Sequence, residues 1–152
     1  MENQLSNSGN YILDDFNSTS NKKLFKLNQI RFATFLAGPL VGAYMITENF
    51  KEMGDRKLIT QTWIISIFVL VGMFIISYMF STINSSPRLL IPILISYLFG
   101  FYAKNYQGEY ITQHFESNGN TYGTGRLVLI ILIGLAVLVA IALLYSILFV
   151  VE

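Results

Sequence analysis

The chain has no cysteine among its 152 residues, which excludes disulfides, thiolate metal sites and cysteine nucleophiles. It has one histidine, His114, and no HExxH pattern. A lone imidazole is a poor zinc site, and with no nucleophile or held water signalled nearby it is a poor general base. Charge is scarce: 12% of residues are charged and the net charge is +1, so the balance argues for neither nucleic acid nor a polybasic lipid-surface partner. Gly123-Thr124-Gly125 leads into an apolar helix without the rest of a phosphate-binding loop. No internal repeat can be aligned. The first 27 residues hold no apolar core of signal-peptide length, so the first span is expected to serve as an uncleaved signal.

Charge is rarest inside the long apolar stretches. Residues 62–80, 89–103 and 127–151 carry none, and Arg31, Glu48, Arg88 and Lys104 stand at expected span ends. Ion pathways and proton relays use ionisable groups within the membrane. Their absence argues against a self-contained ion transporter and leaves open a neutral-solute pore or a subunit of something larger.

Apolar residues are abundant, at 53% of the chain with a mean hydropathy of +0.53. An uncharged apolar run of about 18 residues or more reads as a bilayer span. The run 89–103 is shorter, but it lies between two clear spans, with Arg88 and Lys104 placed to snorkel and Tyr102 and Tyr106 at headgroup level. The expected fold is an all-α integral membrane bundle of four transmembrane helices, with spans near 30–50, 60–80, 88–106 and 127–151. The third helix is extended past the membrane by an amphipathic segment. Residues 1–27 read as a disordered polar N-terminal segment and 28–152 as the transmembrane domain. An even span number puts both termini on one side, and basic residues divide equally between the two sides, so the positive-inside rule ties.

The stretch 32–54, FATFLAGPLVGAYMITENFKEMG, is the one around which the rest is expected to pack. On a continuous helix Thr34, Gly38, Gly42, Met45 and Asn49 share a narrow face, nearly free of bulk, that ends in an amide and suits close approach of another helix. Ala136 and Ala140 offer a weaker complement on the last helix. Pro39 is expected to bend the first helix mildly, and Gly54 to cap it. Asn49 is either an ordinary helix-end residue or a buried group facing the extension of helix three. In that extension Ala103, Gln107, Tyr110, Ile111 and His114 share one half of the wheel, and Asn105, Glu109, Thr112, Gln113 and Glu116 the other. The expected site is a packing and polar cluster of Gly38, Pro39, Gly42, Asn49, Gln107, Tyr110 and His114. Within it Asn49, Gln107, Tyr110 and His114 are expected to satisfy one another at the membrane surface. No catalytic, metal or cofactor site is expected.

Phe35, Leu36, Gly38, Pro39, Leu40, Asn49, Phe50 and Gly54 resemble the opening-helix pattern of a group of uncharacterised bacterial small multi-pass membrane proteins. Gln107, Gly108, Ile111 and His114 resemble the same group's element after its third span. The resemblance covers about a third of the chain and implies a bacterial inner-membrane location without supplying an activity. The expected function is therefore a non-enzymatic multi-pass protein, structural or accessory, acting through helix–helix contacts. The alternative is a small transporter or channel subunit that forms its pathway by oligomerisation. Expected partners are the lipid bilayer, with self-association or another membrane protein, and no nucleic acid.

Overall fold

A computed structural model describes residues 22–81 and 90–149. The expected disorder of residues 1–21, the turn 82–89 and the last three residues lie outside the described residues. The chain is all-helical apart from two two-residue strands: β1 (Lys23–Leu24), α1 (Leu27–Met53), α2 (Arg56–Ser81), α3 (Leu90–Glu116), β2 (Asn120–Thr121) and α4 (Thr124–Phe149). By length and composition Leu27–Met53, Arg56–Ile76 and Thr124–Leu144 can each cross a membrane. α3 is not among them, because its C-terminal half is polar.

α1 does not run straight. At Gly38 the backbone leaves the helix with φ 79° and ψ −176°, a region open in practice only to glycine. Pro39 has no N–H to donate to Phe35, and its ring disfavours helical geometry at the residue before it. Contacts on either side show how sharply the chain turns. The backbone of Phe25 bonds the side chain of Asn49, and Lys22 Nζ bonds Glu52 O at 3.1 Å. In a straight helix Phe25 and Asn49 would stand about 36 Å apart. Thr34 and Gly42 also face each other: a Cβ added at Gly42 would collide with Thr34 Oγ1. α1 is therefore a hairpin of two half-helices, α1a (residues 27–37) and α1b (residues 39–53), with its tip at Gly38.

This corrects two expectations. The mild bend at Pro39 is a chain reversal, which brings the end of the stretch 30–50 back beside its start. The half-helices are about 16 Å and 22 Å long, each short of a hydrocarbon core of about 30 Å. The shared Gly38/Gly42 face does not exist either, because the reversal sends the two glycines to different neighbours.

The hairpin is the hub. α2, α3 and α4 each pack on α1 and barely on one another. Small residues permit this enclosure: Ala33, Ala37, Gly42 and Ala43 are all buried. Ser66 Oγ of α2 donates to Pro39 O at 3.0 Å, just past the tip, and Ser96 Oγ of α3 to Arg31 O at 2.8 Å. Hydroxyls from neighbours commonly support a broken helix in an apolar setting. α4 meets α1 through Gly134, where a Cβ would run into Val41 and lie 3.0 Å from Ala37 Cβ. Ala136 and Ala140, the expected complement, are exposed.

The outer helices continue beyond the tip, and their outward faces are apolar and bare, as at Phe68, Leu94 and Ile133. Sharp caps join the elements at the hairpin's open end. Gly54 adopts the left-handed conformation, with Gly54 N bonding Lys51 O and Asp55 N bonding Phe50 O, a Schellman closure. Asp55 then caps α2 by accepting from Leu58 N at 3.1 Å. α3 ends the same way, with Asn118 at φ 59° and Gly119 N on His114 O at 2.7 Å.

Candidate functional site

The polar groups of the open end converge on one side chain. Asn49 is fully buried; its Oδ1 accepts from Phe25 N at 2.8 Å and its Nδ2 donates to Phe25 O at 3.0 Å. The amide thus pairs with a backbone residue as a second peptide would. Nδ2 also donates to Gln107 Oε1 at 3.2 Å, and Gln107 Nε2 donates to Ile46 O at 2.7 Å. Gln107 is 1% exposed. Two amides on different helices therefore tie the lead-in segment, α1b and α3 into one network, with both side-chain oxygens engaged.

The lead-in is part of the fold, not of a disordered segment reaching to residue 27. Leu24 and Phe25 are both completely buried. β1 pairs in parallel with β2, Lys23 beside Asn120 and Leu24 beside Thr121. Thr121 Oγ1 and Tyr122 N both donate to Leu24 O, at 3.1 and 3.2 Å. The Phe25 and Tyr122 rings stack at 4.2 Å, and the Arg126 guanidinium lies 4.1 Å from the Tyr122 ring. Burial pushes the Tyr122 phenol above its ordinary value, against the pull of Arg126, so it stays protonated at neutral pH. Arg126 also bonds Glu48 Oε2 at 3.0 Å, joining α4 to α1b. Lys26 N donates to Gln29 Oε1 at 2.9 Å, which secures the start of α1a.

The other expected members take different partners. Tyr110 reaches the end of the hairpin, its hydroxyl 3.5 Å from Glu52 O. His114 is 5% exposed and its Nε2 lies 3.0 Å from Asn120 O. A carbonyl only accepts, so this bond places the proton on Nε2. A Cβ at Gly119 would strike the imidazole, which leaves His114 locking its own turn and not joining Asn49. Gly38 faces Leu138 of α4, and Gly42 faces Phe99 of α3, where a Cβ would lie 2.9 Å from Phe99 Cδ1. The expected set is thus divided between the tip, the hairpin interior and the open end.

No family model, no curated protein and no solved structure matches the chain. Chemistry must therefore be read from the residues alone. Among the described residues, no three His, Asp or Glu side chains come together as a metal could require. An open groove of about 490 Å³ lies between residues 26–28 and α3, where Lys26, Asn28, Thr112 and Glu116 stand beside Leu27, Ile111 and Phe115. Each polar atom of the amide clasp bonds a protein group and both side chains are buried, so the clasp is built to hold geometry.

Sequence reasoning missed three participants: the Leu24–Phe25 pair, Gly134 and the packing of Arg31 on Gly100 of α3. Gly134 stands in an apolar run without a second small residue at helical spacing on its packed face. Leu24 and Phe25 lie among lysines, where composition hides two buried side chains.

Proposed function

We propose that this is a non-enzymatic multi-pass membrane protein of a bacterial inner membrane, structural or accessory, working through helix–helix contacts. Its hairpin enters the bilayer from one side and returns, enclosed by α2 and α4, which are long and apolar enough to cross, and by α3, whose apolar half crosses beside them in this reading. One observation carries the reading: the reversal at Gly38 lies midway along apolar helices whose outer faces are bare. Backbone that leaves the helix at membrane depth is tolerated only where protein or a water-filled cavity surrounds it, and α2, α3 and α4 supply that surround. The resemblance of the Phe35–Leu40 and Asn49–Gly54 positions to small bacterial membrane proteins supports the location.

Single-cysteine labelling of this cysteine-free chain tests the arrangement. Cysteines at positions 22, 57 and 117 are expected to label from one side of sealed vesicles, and one at position 152 from the other. Labelling of 22 and 57 from opposite sides would restore a four-crossing chain. Detergent-corrected particle mass tests the mode of action, a protomer with a co-purifying partner being the expected result. The second reading, a transporter or channel subunit, is favoured by the broken helix itself, since such proteins place substrate sites where half-helices end at mid-depth. A defined homo-oligomer without a partner would select it.

A further inference from the structure

Arg31 lies in α1a at the hairpin's contact with α3: Ser96 Oγ of α3 bonds its carbonyl, and its side chain packs along the same helix. Its Cγ, Cδ and Nε pack on Gly100, where any Cβ would collide with them, and its guanidinium carbon lies 5.6 Å from the Tyr97 ring centroid. Gln107 marks the polar end of α3, so Gly100 lies about 10 Å deeper at the rise of an α-helix. The guanidinium is thus held against α3 about two helical turns below that polar end.

Nε is buried and donates to no acceptor, and neither Nη is among the enclosed atoms without a partner. Among the described residues no carboxylate pairs with this guanidinium; the two ion pairs present belong to Glu48 with Lys51 and with Arg126. The flanking surface is apolar and aromatic, with Phe35, Tyr97 and Phe101 all exposed. An arginine at this depth is costly unless something anionic meets it, and a guanidinium binds phosphate oxygens in paired fashion.

We propose that Arg31 is a binding site for a phosphate-type anion at the hairpin–α3 seam, opening sideways toward the leaflet, with Tyr97 as its aromatic wall. The phosphodiester of a phospholipid and free inorganic phosphate share this chemistry. A lipid held here would draw its headgroup inward and thin the leaflet beside the hairpin. The proposal goes beyond the helix-contact reading and rests only on its membrane embedding.

The test uses the full chain, delipidated in neutral detergent, in wild-type, Arg31→Gln and Arg31→Lys forms, with melting curves to select folded protein. Intact-protein mass spectrometry then measures retention of added phosphatidylglycerol and, in a separate arm, inorganic phosphate. Wild type is expected to retain one phospholipid, Arg31→Gln to lose retention at least tenfold, and Arg31→Lys, which keeps the charge but not the paired bonds, to fall between them. Binding of inorganic phosphate but not lipid, lost in the same variant, would assign the site to a free anion. Equal retention by wild type and folded Arg31→Gln, or no retention by either, overturns the proposal. Should Arg31→Gln not fold, Arg31→Lys and a Tyr97→Leu variant carry the comparison, and retention unchanged in Tyr97→Leu counts against the site. Release of the protein from membranes by alkaline carbonate would instead sink the membrane reading, a failure distinguishable from this one.

Discussion

Asn49 closes the hairpin by satisfying both backbone groups of Phe25 at once. Truncating it strands those two groups and frees Gln107 from its acceptor role. Asn49→Ala is expected to cost about 1–3 kcal/mol, the penalty of leaving buried polar groups unbonded. Combined with Gln107→Ala it should show coupling of about 0.5 kcal/mol or more, because the two share a bond. His114→Ala should add to Asn49→Ala without coupling, since its imidazole engages Asn120 O. Unfolding in mixed micelles reads all three, and strong Asn49–His114 coupling would contradict the geometry. The wheel phase of Gln107 and His114 was legible, as both lie on the inward half of α3. What was not legible is which partner each would meet. His114 falls at the helix's last turn, where the Schellman closure brings Asn120 back within reach, while Gln107 lies a full two turns earlier, opposite Ile46 and Asn49.

At the scale of the element, α1 shows where hydropathy stops informing. A window of apolar residues records that a segment is long enough to cross and says nothing of whether it keeps one direction. Leu27–Met53 passes on composition, yet one glycine with φ 79° turns it back. Gly-Pro is a turn signal in any soluble chain; inside an apolar run it reads as a kink, because neighbouring helices usually rescue a proline. Gly38→Ala should destabilise by about 1–3 kcal/mol through backbone strain, with its methyl also pressed to 3.2 Å from Leu138 Cδ1. Replacing Gly38 and Pro39 together by alanine removes both causes of the reversal. Residues 27–53 could then form a straight helix of about 40 Å, and a cysteine at position 22 is expected to label from the opposite side in part of the population. Unchanged labelling would mean that the clasp alone holds the hairpin closed.

For the whole molecule the decisive contrast is between the enclosed hairpin and the bare outer faces. Lipid is as apolar as a phenyl ring, so burial in a bilayer stabilises through packing and not through exclusion of water. Phe99→Ala, beside Gly42, should therefore cost about 1–3 kcal/mol, less than the 3–5 kcal/mol of a water-soluble core. Phe68→Ala, on a side chain 74% exposed, should be nearly silent. Equal melting of the two variants in detergent would show that α3 does not pack on the hairpin as described. The hairpin also has a consequence for synthesis. It is made before the groups that complete it: Gln107 is 58 residues beyond Asn49, and Thr121 is 97 beyond Leu24. Until they emerge, the nascent hairpin has neither its clasp nor its enclosing helices. Its closure must therefore wait for at least 58 residues made after Asn49, and for 97 after Leu24, so the order of synthesis sets the order of assembly.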